Sequence, residues 1–140
     1  MSEANKAVMR RIYDAFNQGN LQEIDAIVEA NITDHNPGPG VPPTREGFKQ
    51  FITAMRTAFP DLRIVAEQMV AEGDLVATRF VATGTQRGEM MGMPATGKQV
   101  TMTGMDLVRF SNGKAVEHWG NQDDLGMMQQ LGIVPPPPGR

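Results

Sequence analysis

The chain of 140 residues carries a formal net charge of −3 and is 40% hydrophobic and 21% charged, a composition typical of one globular domain. This acidic balance argues against a nucleic-acid-binding protein, and no apolar run reaches the ~18 residues needed to span a membrane. The absence of cysteine excludes disulfides, thiolate nucleophiles and cysteine-ligated metals. The N-terminus is polar and lacks an apolar signal segment, so we expect a cytoplasmic protein.

Apolar residues that recur every three or four positions predict three helices in the first part of the chain. The first covers residues 3–18 and ends at Gly19, and the second covers residues 21–30. Thr44 is a suitable N-cap for the third helix, which continues until Pro60. The buried stripes of these helices comprise Val8, Met9, Ile12, Tyr13, Phe16, Ile24, Ile27, Phe48, Phe51, Ile52, Met55 and Phe59.

Beyond Pro60 the hydrophobic pattern alternates, which predicts strands. The four predicted strands cover residues 62–70, 75–84, 99–110 and 115–122. A short closing helix follows over 125–131, and the prolines of 135–138 predict a stiff tail. The prolines and glycines of 34–43 predict an irregular loop. Helices followed by an antiparallel sheet indicate an α+β fold with the helices packed on one face of the sheet.

The turn between the last two strands decides which of their side chains share a face. A two-residue turn at 112–113 would place Asp106 opposite Trp119. A three-residue loop ending in a left-handed glycine would place Asp106 opposite His118. We favour the three-residue loop, because it brings a carboxylate next to an imidazole and sets apolar residues opposite each other.

In the favoured register, the side chains of Asp106 and His118 lie side by side on one face. The carboxylate would raise the pKa of the imidazole, whereas burial would lower it. A histidine balanced between these effects suits proton transfer near neutral pH. Asp106 and His118 are therefore candidate catalytic residues, and a structural ion pair on the surface is the alternative.

The same register sets Gly104 opposite Gly120. Glycine is unfavourable inside a strand and commonly marks a bend or the close approach of a ligand. We treat both glycines as candidate substrate-binding positions, with a sheet bend as the alternative.

Residues 88–97 form an excursion rich in glycine and methionine. Methionines such as Met91 and Met93 are flexible and can repack around varied ligands, which favours a lid or rim at the mouth of a pocket. An oligomer contact made by the same residues is the alternative.

Five short phrases occur in a characteristic order along the chain. They are DHNP at 34–37, GMPATGK at 92–98, NGK at 112–114, EHW at 117–119 and QLG at 130–132. Together they resemble the SnoaL-like polyketide cyclase family. The resemblance implies one domain over 1–140, with a core of about 6–133 and a proline-rich tail over 134–140. It also implies a cone-shaped, curved antiparallel sheet with the N-terminal helices on its concave face, the SnoaL-like α+β barrel.

The resemblance further implies an activity. Characterised enzymes of this family close a ring in an aromatic polyketide ester by intramolecular aldol chemistry, without a metal or organic cofactor. The expectation is therefore cofactor-free acid–base chemistry, either cyclisation or isomerisation, on a hydrophobic small molecule bound in an apolar pocket. The family also implies a homodimer or homotetramer.

Site residues follow from the resemblance position by position. Asn36 and His118 match pocket-facing residues of the family. The family's catalytic aspartate lies two residues after that histidine, where this chain has Gly120, and Asp106 stands where a cyclase has a pocket-facing histidine. Asp123 lies close by and is a further catalytic candidate. The predicted substrate-binding residues are His35, Asn36, Phe51, Met55, Gln86, Met91, Met93, Gly104 and Gly120.

Two other functions remain open. One is a hydrolase or dehydratase of the limonene epoxide hydrolase type, whose enzymes use a carboxylate–arginine–carboxylate triplet. The other is a non-catalytic small-molecule-binding protein of the same fold, which Gly120 favours. We expect no metal site, because the two histidines, His35 and His118, lie in distant segments without metal-ligand spacing.

Overall fold

The computed structural model describes residues 2–135 and residue 138, so most of the predicted proline-rich tail lies outside the described residues. The elements in chain order are α1 (Ser2–Gln18), α2 (Leu21–Ile27), β1 (Val28–Asp34), α3 (Arg45–Ala58), β2 (Arg63–Glu72), β3 (Leu75–Thr85), β4 (Gln99–Ser111), β5 (Lys114–Gln122) and α4 (Asp124–Leu131). Among the helices of the described residues, none combines the length and hydropathy needed to cross a bilayer.

The helices form where the apolar periodicity predicts them. Helix α1 buries the predicted stripe and packs across β2 and β3, with the rings of Tyr13 and Phe80 6.2 Å apart. Thr44 caps α3 as predicted, because its side-chain oxygen accepts the N–H of Gly47. Helix α2 ends at Ile27, short of the predicted end, because the chain continues as a strand.

The strands form one five-stranded sheet in the order β1-β5-β4-β3-β2. Strands β2 to β5 pair with one another in antiparallel fashion, as predicted. Strand β1 pairs with the other side of β5 in parallel. The α+β fold is confirmed, with a curved, mixed sheet that stays open instead of closing into a barrel. The additional strand β1 matters for the site, because it aligns Asp34 with His118.

The β4–β5 hairpin has a two-residue turn, so the favoured three-residue loop is wrong. Ser111 pairs with Lys114, and both turn residues have positive φ, 52° at Asn112 and 76° at Gly113. This is the backbone of a type I′ turn, whose twist matches that of the flanking strands.

A bulge at Val116 then shifts the register between β4 and β5. The extra residue exchanges the faces of all later side chains of β5. As a result Asp106 lies opposite Gly120, and His118 lies opposite Val108. Neither predicted pairing of Asp106 is correct, but Asp106 and His118 still share a face as diagonal neighbours.

Candidate active site

A cavity of about 440 Å³ lies between helices α1 and α3 and the face of the sheet that these helices cover. Its apolar wall includes Phe16, Phe51, Met55, Leu62, Phe80 and Met102. Its polar end is formed by Tyr13, Asp34, Asn36, Asp106 and His118. Six of the predicted site residues therefore line one cavity: Asn36, Phe51, Met55, Asp106, His118 and Gly120.

Asp106 and His118 are in direct contact. His118 Nε2 lies 2.9 Å from Asp106 Oδ1, and the side chains of His118 and Asp106 are 22% and 20% exposed, respectively. The contact runs diagonally across the ladder, within the reach of an aspartate and a histidine on neighbouring strands.

Two further groups extend this contact into a row of hydrogen bonds. His118 Nδ1 lies 2.8 Å from Asp34 Oδ1, and the hydroxyl of Tyr13 donates to Asp106 Oδ2 over 2.6 Å. We call Asp34, His118, Asp106 and Tyr13 the polar row. The sequence prediction missed Asp34, which fell in a predicted loop, and Tyr13, which fell in an apolar helix stripe.

The polar row shifts the pKa values of two of its members. Burial alone would lower the pKa of His118, but the hydrogen bonds and negative charges of Asp106 and Asp34 outweigh burial and raise the pKa to about 9. Burial, followed by the charge of Asp106, raises the pKa of Tyr13 far above its ordinary value. At neutral pH the row therefore holds an imidazolium and a protonated phenol.

Asn36 has a fixed orientation at the edge of the polar row. Its side-chain oxygen accepts the backbone N–H of Gly120 over 2.9 Å, and its own backbone N–H donates to Asp34 Oδ1. With the oxygen engaged, the amide NH₂ group is the end of Asn36 that remains for a ligand in the cavity.

Gly120 makes space for the central contact. A Cβ at this position would lie 2.8 Å from Asp106 Oδ1 and 2.9 Å from His118 Nε2. The glycine thus accommodates a carboxylate from the neighbouring strand. Gly104 has a different role, because the Phe80 ring fills the space beside it and its ladder partner is Gln122. The predicted opposition of the two glycines is wrong.

Asp123 and His35 do not line the cavity, contrary to the prediction. Asp123 is exposed and caps α4, accepting the N–H of Gly126. Successive side chains of a strand alternate between faces, so His35, which follows Asp34, projects to the other side of the sheet. There its ring stacks on Trp119, with centroids 4.9 Å apart, and its Nε2 lies 2.8 Å from Glu117.

Gln86, Met91 and Met93 also lie away from the cavity lining. Gln86 is fully buried, and its amide binds the backbone of Gly88 and Pro94 and both the N–H and hydroxyl of Thr96. It holds the 88–97 excursion in shape. Met91 is exposed and Met93 packs on the hydrophobic core. The segment that borders the cavity is the proline-rich loop 36–41.

Within the described part of the chain, no group of three or more histidine or acidic side chains is arranged to hold a metal ion. Asp34 and Asp106 bind opposite nitrogens of His118, so their oxygens do not converge on one point.

A family model described as SnoaL-like polyketide cyclase matches residues 6–131. The chain is 28% identical to the aklanonic acid methyl ester cyclase DauD of Streptomyces sp. (strain C5), over 95% of this chain and 91% of that protein. It is 27% identical to the nogalonic acid methyl ester cyclase of Streptomyces nogalater, over 84% and 90%. The solved structure of IdmH from Streptomyces antibioticus is 36% identical, with a TM-score of 0.81 over 91% of this chain and 98% of that one. TsrD from Streptomyces laurentii is 26% identical, with a TM-score of 0.86 over 94% and 97%.

Proposed function

Because the chain belongs to the SnoaL-like polyketide cyclase family, we propose that it closes a ring by cofactor-independent intramolecular aldol addition, or catalyses a related isomerisation, within a hydrophobic carbonyl substrate. The observation that carries the proposal is the polar row in the wall of a mainly apolar cavity. Relatives named as methyl ester cyclases support the same reaction class.

Asp106 is the base in the proposed mechanism. Its carboxylate takes a proton from a carbon next to a carbonyl group, and the electrons of the broken C–H bond form an enolate. The amide NH₂ of Asn36 is the donor available to the enolate oxygen, because its side-chain oxygen is held by Gly120. Preoriented donors in a site of low polarity stabilise such an oxyanion without the cost of reorganising water.

Ring closure then needs one proton delivered and one returned. The enolate carbon bonds to a ketone carbon of the same molecule, and the resulting alkoxide takes a proton from His118. Asp106, now protonated, returns its proton to His118 Nε2 across their 2.9 Å contact. Atoms, charges and electrons balance, and the polar row ends in its starting state.

The cavity favours a neutral, largely apolar ligand. Its volume of about 440 Å³ falls within the ~300–1,000 Å³ typical of small-molecule sites. Among the lining residues of the described chain, none is a lysine or arginine, so a free carboxylate would find no dedicated partner. The predicted homodimer or homotetramer remains a prediction.

The test is turnover of polyketide methyl esters, beginning with those of aklanonic and nogalonic acid. Aldol closure leaves the mass unchanged, so the product is followed by chromatography and its absorption spectrum. A parallel assay in D₂O measures exchange of the hydrogen next to the carbonyl. We expect both ring closure and exchange above the buffer rate. Binding detected by thermal shift, without exchange, would instead support the non-catalytic alternative.

One observation favours water addition as a second candidate. Asp34, His118 and Asp106 form a carboxylate–cation–carboxylate arrangement, in which an imidazolium stands where limonene-epoxide-hydrolase-type enzymes have an arginine. In this alternative a carboxylate would activate water against an epoxide. Incubation of an epoxide panel in H₂¹⁸O distinguishes the two reactions, since only hydrolysis adds a labelled oxygen to the product.

A further inference from the structure

Both ring nitrogens of His118 face carboxylate oxygens. Nδ1 lies 2.8 Å from Asp34 and Nε2 lies 2.9 Å from Asp106. A neutral imidazole has only one N–H, so one of these contacts would then set a nitrogen lone pair against a carboxylate. With both aspartates ionised, only the imidazolium satisfies both contacts, so the geometry favours a proton on each nitrogen.

Asp34 is held in place independently of any ligand. Its strand pairs with β5 in parallel, with Asp34 aligned to His118, and the N–H of His35 donates to the carbonyl of His118. The Asp34 side chain is only 10% exposed, and its Oδ1 also accepts the N–H of Asn36. This carboxylate is thus docked against Nδ1 by the sheet, at the nitrogen remote from Asp106.

We propose that Asp34 is a positioning residue: it keeps His118 doubly protonated and aims its Nε2–H at Asp106, so that Asp106 serves as the base and His118 as the proton donor. The proposal rests on the proposed function for its catalytic consequence. Without the Asp34 charge, the ring could become neutral and turn away from Asp106, and no proton would be ready for the alkoxide.

The groups that set the charge of His118 come from four elements. Asp34 belongs to β1, Asp106 to β4 and Tyr13 to α1, while Asp124, at the start of α4, lines the same cavity. Among the residues that the structure describes, Asp34 and Asp106 are the side chains hydrogen-bonded to the ring, and Tyr13 acts on it through Asp106. The substitution Asp124→Asn provides a matched control, because it removes a negative charge from the cavity lining without removing a hydrogen bond to His118.

The first experiment uses ¹⁵N-edited NMR of the histidine rings, with His35→Gln to leave a single histidine. At about pH 7.5 we expect both nitrogens of His118 to carry protons, with titration near pH 9. A neutral tautomer at that pH would overturn the proposal without any change to Asp34, Asp106 or His118.

The second experiment compares variants by the same measurement. Asp34→Asn should lower the pKa of His118 by at least about one unit, a tenfold loss of proton affinity. Asp34→Glu should recover part of the shift, and Asp124→Asn should cause a much smaller one. If Asp34 only fastened β1 to β5, Asp34→Asn would lower the melting temperature and leave the titration unchanged. That result, or an equal effect of Asp124→Asn, would overturn the proposal.

The activity arm separates this proposal from the proposed function. With a substrate that the protein converts, Asp34→Asn should move the alkaline limb of the pH profile of kcat/KM to lower pH and reduce kcat more than it changes KM. An unchanged pH profile in an active enzyme would contradict the role of Asp34 and leave the proposed function intact. A shifted His118 titration in a protein that turns over no carbonyl substrate would contradict only the function.

Discussion

Gly120 lies directly opposite Asp106 in the β4–β5 ladder, and because the glycine has no side chain, the Asp106 carboxylate and the His118 ring can meet beside it. Gly120 and Asp106 are therefore parts of one arrangement, in which the glycine leaves room for a carboxylate from the neighbouring strand. Gly120 does not leave this part of the cavity without an acidic group.

Gly120→Ala should separate Asp106 from His118, because its Cβ would lie under 3.0 Å from both. Overpacking of this kind typically costs about 1–3 kcal/mol, and we expect ring-closing activity to fall with it. Urea unfolding and turnover measure the two effects. In an Asp106→Ala background the stability cost should shrink, since one clashing partner is gone; an unchanged cost would show that the clash lies elsewhere.

Asp106→Asn should reduce kcat by about 10²–10⁴-fold, the usual contribution of a positioned base. The matched control is Asp123→Asn, which changes an exposed N-cap to another good N-cap residue and should leave turnover unchanged. Steady-state assays of both variants decide the point. Equal activity of Asp106→Asn and wild type would remove Asp106 from the mechanism.

The free energy of unfolding should fall at alkaline pH because of His118. Its folded-state pKa of about 9 exceeds the ordinary 6.5, so the folded protein holds the proton more tightly. The stabilisation is complete below about pH 6.5 and is lost as the pH rises through 9. A shift of this size corresponds to about 3 kcal/mol at most. Urea unfolding of wild type and His118→Gln across this range should converge at high pH; parallel curves would contradict the assignment.

Methyl esters should bind better than the corresponding free acids. The cavity lining contains Asp34, Asp106 and Asp124. Its one cationic group among the described residues, His118, is already shared between two carboxylates. A substrate carboxylate there would meet net negative charge. Calorimetric titration of an ester and its acid should show at least about a tenfold difference in Kd, or about 1.4 kcal/mol. Equal affinities would place the ester group outside the polar end.

Gln86→Ala should destabilise the protein while leaving KM and kcat unchanged below its melting temperature. The substitution removes the hydrogen bonds of the fully buried Gln86 amide to Gly88, Pro94 and Thr96, each of which typically contributes about 0.5–1.5 kcal/mol. Hydrogen exchange should rise across the 88–97 excursion. A selective increase in KM at unchanged stability would instead support Gln86 as a substrate-binding residue.

Local patterns predicted most of the elements correctly, whereas the site depends on two features that local patterns do not show. Strand β1 buries Val28 and Ile32 but lacks the regular alternation that predicts a strand, and it is held in place by its pairing with β5. For this reason the sequence pattern places Asp34 in a loop. The bulge at Val116 has no signature in the sequence, since any residue can occupy it.

Polar residues were the hardest to place. Gln86, Asp123 and His35 are all plausible ligand contacts by chemical type. Each instead satisfies backbone groups or a partner elsewhere in the fold, as an excursion anchor, a helix cap and a stacked ring. Residue type predicts what a side chain can bond to, but only the three-dimensional neighbours decide which bond it makes.

The bulge at Val116 also constrains how this hairpin can vary. Adding or deleting one residue within the paired strands between Asp106 and His118, with the turn unchanged, would send the two side chains to opposite sides of the sheet and break the polar row. Insertions or deletions of two residues would keep the side chains together. The number of paired residues between Asp106 and His118 can therefore change only in steps of two if the two side chains are to stay on one face of the sheet.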